Sequence, residues 1–335
     1  MLILSFESSC DETACAIVDM SQDKREILAD KIASQISIHK LYGGVVPEIA
    51  SRAHTEAISG LTYAAFAEAG CTMSDIEAVA VTNRPGLIGA LLVGVNYAKG
   101  LAFANEKPLV PIDHIRGHIA ANYLAHPGLE PPFTAFVASG GHTSIIDVGG
   151  YTEFKTIGAT RDDAAGEAFD KVARLLGMPY PGGAEMDALA YKGDPDSIKF
   201  PSASSFRDTL DMSFSGLKTA VINHIHTLEQ KGEPVPAADV CASFTKTVCE
   251  SIVHRLSEAL DASGRDKLVI AGGVTANSHL RRALQQLADK KGVPLYMPPL
   301  SLCGDNGAMI GAQGYYEYAA GNTGDSGLNA FATKR

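Results

Sequence analysis

The sequence predicts an α/β fold with a mixed, largely buried sheet, and two observations carry that prediction. Short apolar runs alternate with longer amphipathic stretches along a chain of 335 residues, the pattern of strands and helices in turn. A strand–turn–strand unit also recurs. Residues 2–19, LILSFESSCDETACAIVD, and residues 133–150, FTAFVASGGHTSIIDVGG, share one form: an apolar run, a Ser/Gly turn, a Thr and a second apolar run. Two copies of one supersecondary unit suggest two domains of related fold.

Each element can be justified in order. LILSFE reads as a strand, and ACAIVD as a second strand after a polar turn. Residues 48–70 carry apolar positions at helical spacing. EAVAVTN (77–83) is a strand, followed by a Gly-punctuated helix over 89–102 and another strand over 108–113. The second half restarts with the two strands of 133–150. Residues 267–292, KLVIAGGVTANSHLRRALQQLADKKG, give a strand, a Gly-Gly turn and a basic amphipathic helix. No low-complexity linker separates the halves. The chain is therefore expected to cross between domains within a helix near residues 115–130, and to return near the C-terminus.

Composition narrows the function classes. With 46% apolar and 20% charged residues, the chain reads as an ordinary globular protein. No apolar run of about 18 residues is present, so no transmembrane helix is expected. The N-terminus has neither a basic n-region nor a small-residue cleavage site, so no signal peptide is read. The six cysteines are irregularly spaced and form no CxxC pair. They read as reduced thiols of a cytoplasmic protein. A net charge of −10 makes a poor generic nucleic-acid binder, because phosphate neutralisation supplies most non-specific affinity. An RNA substrate would need a local basic patch or a partner subunit.

Two turns have the form of phosphate cradles. ASGGHT (138–143) and AGGVTANSH (271–279) follow strands, and their glycines let backbone N–H groups approach an anion. The second opens a helix, whose N-terminus adds partial positive charge. Neither is a P-loop, and neither is a GxGxxG fingerprint. His114 and His118 stand four apart just after a strand, so on a helix both imidazoles project from one face and can reach one ion. Ile115 sits where a zincin would carry its general-base Glu. Asp305, in the Gly-flanked loop of SLCGDNGAMIG, is a candidate third ligand, or alternatively an N-cap carboxylate. Two histidines and one carboxylate leave coordination positions open, which suits iron or zinc engaging a substrate.

Nearly the whole chain resembles the tRNA N6-adenosine threonylcarbamoyltransferase family of bacterial type, once described as O-sialoglycoprotein endopeptidases. The resemblance is carried by SFESSCDETACAIVD, GGVVPEIASRAHTEAI, RPGLIGALLVGVNYAKGLA, DHIRGHIAAN, VASGGHT, GEAFDKVARLLGMPYPGG, MSFSGLKTAV, AGGVTANSHLR and CGDNGAMIG, in that order. It implies the actin, hexokinase and heat-shock ATPase fold: two ribonuclease-H-like domains around a nucleotide cleft. The implied domains are 1–115, completed by a C-terminal helix over 305–325, and 116–304, with a flexible tail over 326–335.

The same resemblance assigns one divalent metal ion, iron or zinc, to His114, His118 and Asp305. It assigns substrate binding to Val137, Ala138, Ser139, Gly140, Gly141, Asp170, Gly183, Asp187 and Asn277. Glu12 is implied to face the cleft as a proton acceptor or an orienting group. The implied reaction moves a threonylcarbamoyl group from threonylcarbamoyl-AMP to N6 of adenosine 37 in tRNAs reading codons that begin with A. ATP is the other nucleotide such a pocket would take. The implied partners are tRNA, a degenerate paralogue of the same fold forming a heterodimer, and a small P-loop ATPase. Lys218, Arg281 and Arg282 are candidate tRNA contacts. One departure stands out: Arg116 lies between the histidines where many bacterial members carry an acidic residue. Rival readings are a metal-dependent peptidase, a small-molecule kinase of the same superfamily, and a non-catalytic scaffold.

Overall fold

The computed structural model describes residues 1–21, 23–204, 206 and 208–332. In chain order the strands are β1 (Leu2–Glu7), β2 (Glu12–Met20), β3 (Arg25–Ser34), β4 (Ala78–Arg84), β5 (Leu109–Asp113), β6 (Phe133–Ala138), β7 (Thr143–Gly150), β8 (Glu153–Ala159), β9 (Leu268–Ala271) and β10 (Leu295–Tyr296). The helices are α1 (Ile36–His39), α2 (Pro47–Ala69), α3 (Ile88–Ala104), α4 (His114–Ala125), α5 (Ala165–Leu175), α6 (Gly183–Ala190), α7 (Ser215–Lys231), α8 (Ala237–Ser263), α9 (Ser278–Lys291) and α10 (Gly307–Ala319). Two compact units result. Unit 1 is Met1–Pro131, Gly149–Glu153 and Met297–Arg335; unit 2 is Pro132–Val148 and Phe154–Tyr296.

Unit 1 is built on a sheet of order β3-β2-β1-β4-β5. β1 pairs antiparallel with β2 and parallel with β4, and β4 pairs parallel with β5. Alternate residues of these strands serve two apolar layers. Leu4, Phe6, Cys15, Ile17, Val79 and Val81 pack with Ile58 and Ala65 of α2 and with Leu91 and Val95 of α3. The other face meets α10, through glycines spaced four and three apart. A Cβ at Gly307 would fall 2.7 Å from Ala16 N, one at Gly311 2.7 Å from Val18 Cγ2, and one at Gly314 2.7 Å from Ala80 Cβ. Both faces are therefore covered, and the strands read as near-continuous apolar runs.

Unit 2 repeats the plan with order β10-β9-β6-β7-β8. β6 pairs antiparallel with β7 and parallel with β9, and β9 with β10 is parallel. The repeat read in residues 2–19 and 133–150 is thus the β1–β2 hairpin and its β6–β7 counterpart.

The division of the chain differs from the sequence reading. The first boundary falls at 131/132 rather than 115/116, because α4 packs on α10: a Cβ at Gly117 would fall 2.6 Å from Ile310 Cδ1. Unit 1 resumes at Met297 rather than 305. The stretch expected as a flexible tail is held as far as it is described. Ala330 is buried, Leu328 packs against the unit 1 core, and Phe331 N–H donates to Asn83 O at 2.9 Å. Residues 333–335 lie outside the described residues.

Candidate functional site

The histidine pair owes its placement to a sharp strand-to-helix junction. β5 ends at Asp113, whose carboxylate caps α4 by accepting from Ile115 N–H at 3.0 Å. The helix then begins at His114, and His118 follows one turn later. Both residues are buried, with ring centroids 4.5 Å apart. Asp305 arrives from the loop before α10. The cap of that helix is Asn306, which accepts from Met309 N–H at 2.8 Å. The capping alternative for Asp305 is therefore taken by its neighbour. Asp305 Oδ1 lies 3.5 Å from His114 Nε2 and 3.2 Å from His118 Nε2.

These donors fit a metal ion. One ligand atom from each residue falls within 4.8 Å of the others. Metal–ligand bonds of about 2.0–2.2 Å place neighbouring ligand atoms roughly 3.0–3.5 Å apart, the range seen here. Both ring nitrogens of His118 are buried without a hydrogen-bond partner, a costly state unless something else satisfies them. His114 is oriented from behind: its Nδ1 lies 3.0 Å from Glu7 Oε2 and 3.2 Å from Ser9 Oγ. That arrangement leaves Nε2 for the ion and is the usual carboxylate–histidine support of a metal ligand.

The electrostatics favour a cation. Burial alone would push the His114 ring down, but the carboxylates of Glu7 and Asp305 override it and hold the ring up at about 10. Glu7, fully buried, is lowered all the same, because the His114 charge and hydrogen bond outweigh desolvation. Glu7 is fixed further by Thr82 Oγ1 and Ser9 N–H, each donating at 2.5 Å. Glu12, at the start of β2, accepts from Ser34 Oγ at 3.2 Å. Burial, then the charges of Asp305 and Asp11, push its carboxyl up to about 9.

The expected substrate-binding residues all fall in unit 2. Val137 and Ala138 end β6 and are buried. Ser139 N–H donates to His142 O at 2.8 Å, closing the turn that carries Gly140 and Gly141. A Cβ at Gly140, Gly141 or Gly183 would meet nothing within 4 Å, so their main chain is open to a ligand. The N-terminus of α5 abuts this turn, since a Cβ at Gly166 would lie 2.5 Å from Ser139 O and 2.8 Å from Gly140 Cα. At Gly272, φ is +92° and a Cβ would lie 2.4 Å from Ala138 O, so only glycine brings the two turns this close.

Asp170 accepts from Gly182 N–H at 2.9 Å, beside Gly183. Asp187 accepts from Ser278 N–H at 3.1 Å, beside Asn277. Asn277 spends its side-chain oxygen capping α9 through Leu280 N–H at 2.9 Å, which leaves its amide as the group for a ligand. Unit 2 thus gathers 137–141 with the α5 N-terminus, Asp170 with Gly183, and Asp187 with Asn277. His114, His118, Asp305 and Glu12 gather in unit 1.

The candidate RNA cations are engaged within the chain. Lys218 Nζ donates to Asp163 Oδ2 at 2.6 Å, Arg281 Nε to Thr275 O at 2.8 Å, and Arg282 Nη2 to Tyr191 OH at 3.0 Å. Sequence reasoning missed Glu7 and Ser9. The signal was present: an acid closing the apolar run LILSF, on a strand that is otherwise buried.

A family model described as tRNA N6-adenosine threonylcarbamoyltransferase matches residues 26–312. A protein of that name from Clostridium perfringens (strain ATCC 13124) is 52% identical over 329 residues, covering 98% of this chain and 96% of its own. One from Clostridium botulinum (strain Kyoto) is 51% identical over 328 residues, with the same coverage. Among solved structures, full-length HypF in its phosphate- and nucleotide-bound form matches with a TM-score of 0.63 at 16% identity, over 95% of this chain and 46% of that one. A ROK hexokinase from Thermus thermophilus matches with a TM-score of 0.52 at 14% identity, over 96% and 100%. At these identities the likeness shows the fold alone, that of the hexokinase and actin class.

Proposed function

Because the chain belongs to the tRNA N6-adenosine threonylcarbamoyltransferase family, it is a tRNA-modifying acyltransferase, and we propose that its donor is threonylcarbamoyl-AMP and its acceptor N6 of adenosine 37 in tRNAs reading ANN codons. AMP leaves. The single observation that supports this reading of the site is the meeting of Asp305 with His114 and His118 across more than half the sequence. Ile115 follows His114 where HExxH carries its Glu, which disfavours a zincin-like peptidase.

The exocyclic amine of adenine is a weak nucleophile, so the donor carbonyl must be polarised and its developing oxyanion stabilised. His114, His118 and Asp305 would hold the ion, iron or zinc, which supplies Lewis acidity toward that carbonyl. Glu7 keeps the His114 ring turned so that Nε2 points to the ligand position. The open main chain of Gly140 and Gly141 and the α5 N-terminus take the adenylate phosphate. Asp170 and Asp187 accept from ribose or threonyl hydroxyls, and the Asn277 amide donates to the nucleotide. Glu12 orients the site or, once its own proton has left, accepts the one released by the amine; burial, then Asp305 and Asp11, hold that proton on its carboxyl up to about 9. No covalent enzyme intermediate is needed.

The partners proposed are a degenerate paralogue of the same fold, forming a heterodimer, and a small P-loop ATPase. A groove between α2 and α3 supports the first. Ile58 and Ser59 of α2 and Leu92, Val93 and Tyr97 of α3 line a groove of about 420 Å³, which suits an apolar helix. No helix among the described residues is long and apolar enough to cross a membrane. The compartment proposed is the cytoplasm, on the ground that its tRNA substrate is there.

The test is incorporation of labelled threonine and bicarbonate into tRNA, with the adenylate-forming synthase and partners added, alongside measured metal content. Wild type should label tRNA and carry one metal ion per chain. His118→Ala should lose both, and Glu12→Ala should lose labelling while keeping metal and fold. Labelling that survives in metal-free His118→Ala would remove the triad from the reaction.

A further inference from the structure

We infer that Arg116 is a positioning residue for the metal triad: its ion pair with Glu317 locks α4 to α10 and so holds the two imidazoles against Asp305. This rests on the triad reading above. It concerns a residue that the family resemblance leaves unexplained, since Arg116 stands where an acidic side chain is common.

Two of the three ligands lie on α4, and the third ends the loop two residues before α10. How these helices sit on one another therefore sets the size of the triad. Three contacts bear on it, one of them the edge-on rings of Tyr123 on α4 and Tyr316 on α10, 5.1 Å apart. At the start of α10, Gly117 admits a close approach to Ile310 and Met309, where a Cβ would meet Ile310 Cδ1 at 2.6 Å and Met309 Cγ at 3.5 Å. Seven residues further along, Arg116 Nη1 reaches Glu317 Oε1 at 2.9 Å. At 1.5 Å rise per residue, positions 310 and 317 lie about 10 Å apart along the helix. The apolar contacts at Gly117 and at the Tyr123–Tyr316 rings hold the helices together but tolerate small slips, because burial is non-directional. A charge-assisted hydrogen bond about 10 Å away is directional and removes that freedom.

The Glu317 end is built to hold. Its side chain is 6% exposed, and Gln313 Nε2 and Asn322 Nδ2 donate to it at 3.0 and 2.6 Å. A carboxylate set this way cannot swing out to follow a lost cation, and without Arg116 it becomes a poorly compensated buried charge. An acidic residue at 116 would face it directly. The fold tolerates a helix shift of a few tenths of an ångström; a metal site, whose bond lengths are held within about 0.2 Å, does not.

The experiment titrates metal-free full-length chain with Co²⁺, reading the visible d–d spectrum and affinity well below each variant's thermal transition. Wild type should bind one Co²⁺ per chain. Arg116→Glu and Glu317→Gln should stay folded yet bind about 10-fold more weakly or worse, with altered spectra. The exchanged pair, Arg116→Glu with Glu317→Arg, should regain most of the affinity, which a purely structural loss would not predict. Glu317→Gln serves should Arg116→Glu fail to fold. Wild-type affinity and spectrum in folded Glu317→Gln would overturn the inference. So would an exchanged pair that folds normally and recovers nothing. If wild type and His118→Ala titrate alike, it is the triad reading that fails, a distinguishable result.

Discussion

At the scale of single residues, the site is governed by carboxylates whose neighbours decide what they do. Glu7 never reaches a metal ion itself; it orients one ligand through Nδ1. Glu7→Gln keeps the shape and one acceptor but removes the charge. Metal affinity is expected to fall about 10–100-fold, the usual cost of an outer-sphere partner, with the chain still folded. Chelator competition on the variant checks this. Asp30 shows the opposite balance. Its carboxylate accepts from Gly307 N–H at 3.0 Å at the start of α10, but burial outweighs the hydrogen bonds and pushes it up to about 6. The folded chain thus binds the Asp30 proton more tightly than the unfolded chain does. The resulting stability is fully present below about pH 4 and is lost as pH rises through about 6. Relative to wild type, Asp30→Asn is expected to gain about 3 kcal/mol between pH 4 and pH 7. Denaturant melts of both proteins at several pH values test it; a constant difference across that range would contradict it.

At the scale of elements, what the sequence disclosed followed burial. β1, β2, β4, β6 and β9 are apolar and buried along nearly their whole length, β7 and the edge strand β5 are mostly so, and their runs stand out in the sequence. β3 and β8 are edge strands. REILADKIAS and EFKTIGA mix charges with half-buried positions, so neither period emerges. The histidine pair was legible because its spacing is local. Asp305 was legible only as one of two things, since an Asp before a helix is equally a cap; Asn306 settles the matter by taking that role. Glu7 was visible as an acid closing an apolar run, but its role was not, because its partner lies 107 residues away. α3 divides its faces: Ala90, Leu91, Val95 and Ala98 are buried, while Leu92, Val93 and Tyr97 line the groove beside α2. If that groove seats the paralogue, Leu92→Glu should abolish the heterodimer on size exclusion; because Leu92 is half-buried against the unit 1 core, denaturant melts of the variant alone should show a folded chain destabilised by about 1–3 kcal/mol. An intact heterodimer would exclude the groove.

At the scale of the whole molecule, one topology appears twice: order 3-2-1-4-5 in unit 1 is matched by 8-7-6-9-10 in unit 2. The sequence showed only the first hairpin of each copy, because the parallel strands that complete each sheet are joined by helices of unlike length. Duplication of the frame did not duplicate the chemistry. The ligand triad arose in one copy and the open glycine turn in the other, and the strand–turn–strand hairpins differ where it counts, ESSCDET against SGGHT. Charge is the remaining global property. A chain of net charge −10 acts on a polyanion, and its candidate cations Lys218, Arg281 and Arg282 are already engaged by Asp163, Thr275 and Tyr191. Binding that neutralises Z phosphates has a salt slope of about −0.9Z on duplex and about −0.7Z on single strands, so an acidic surface that neutralises few phosphates gives a shallow slope. The chain alone is therefore expected to bind tRNA weakly, with affinity changing little between about 50 and 200 mM salt. Adding the partner subunits should tighten binding and steepen the slope together, because the extra phosphate contacts come from them. Fluorescence anisotropy on labelled tRNA, run across salt with and without partners, reads both quantities. A steep slope for the chain alone would mean that its own surface carries the RNA, and that the intramolecular pairs of Lys218, Arg281 and Arg282 open to release them.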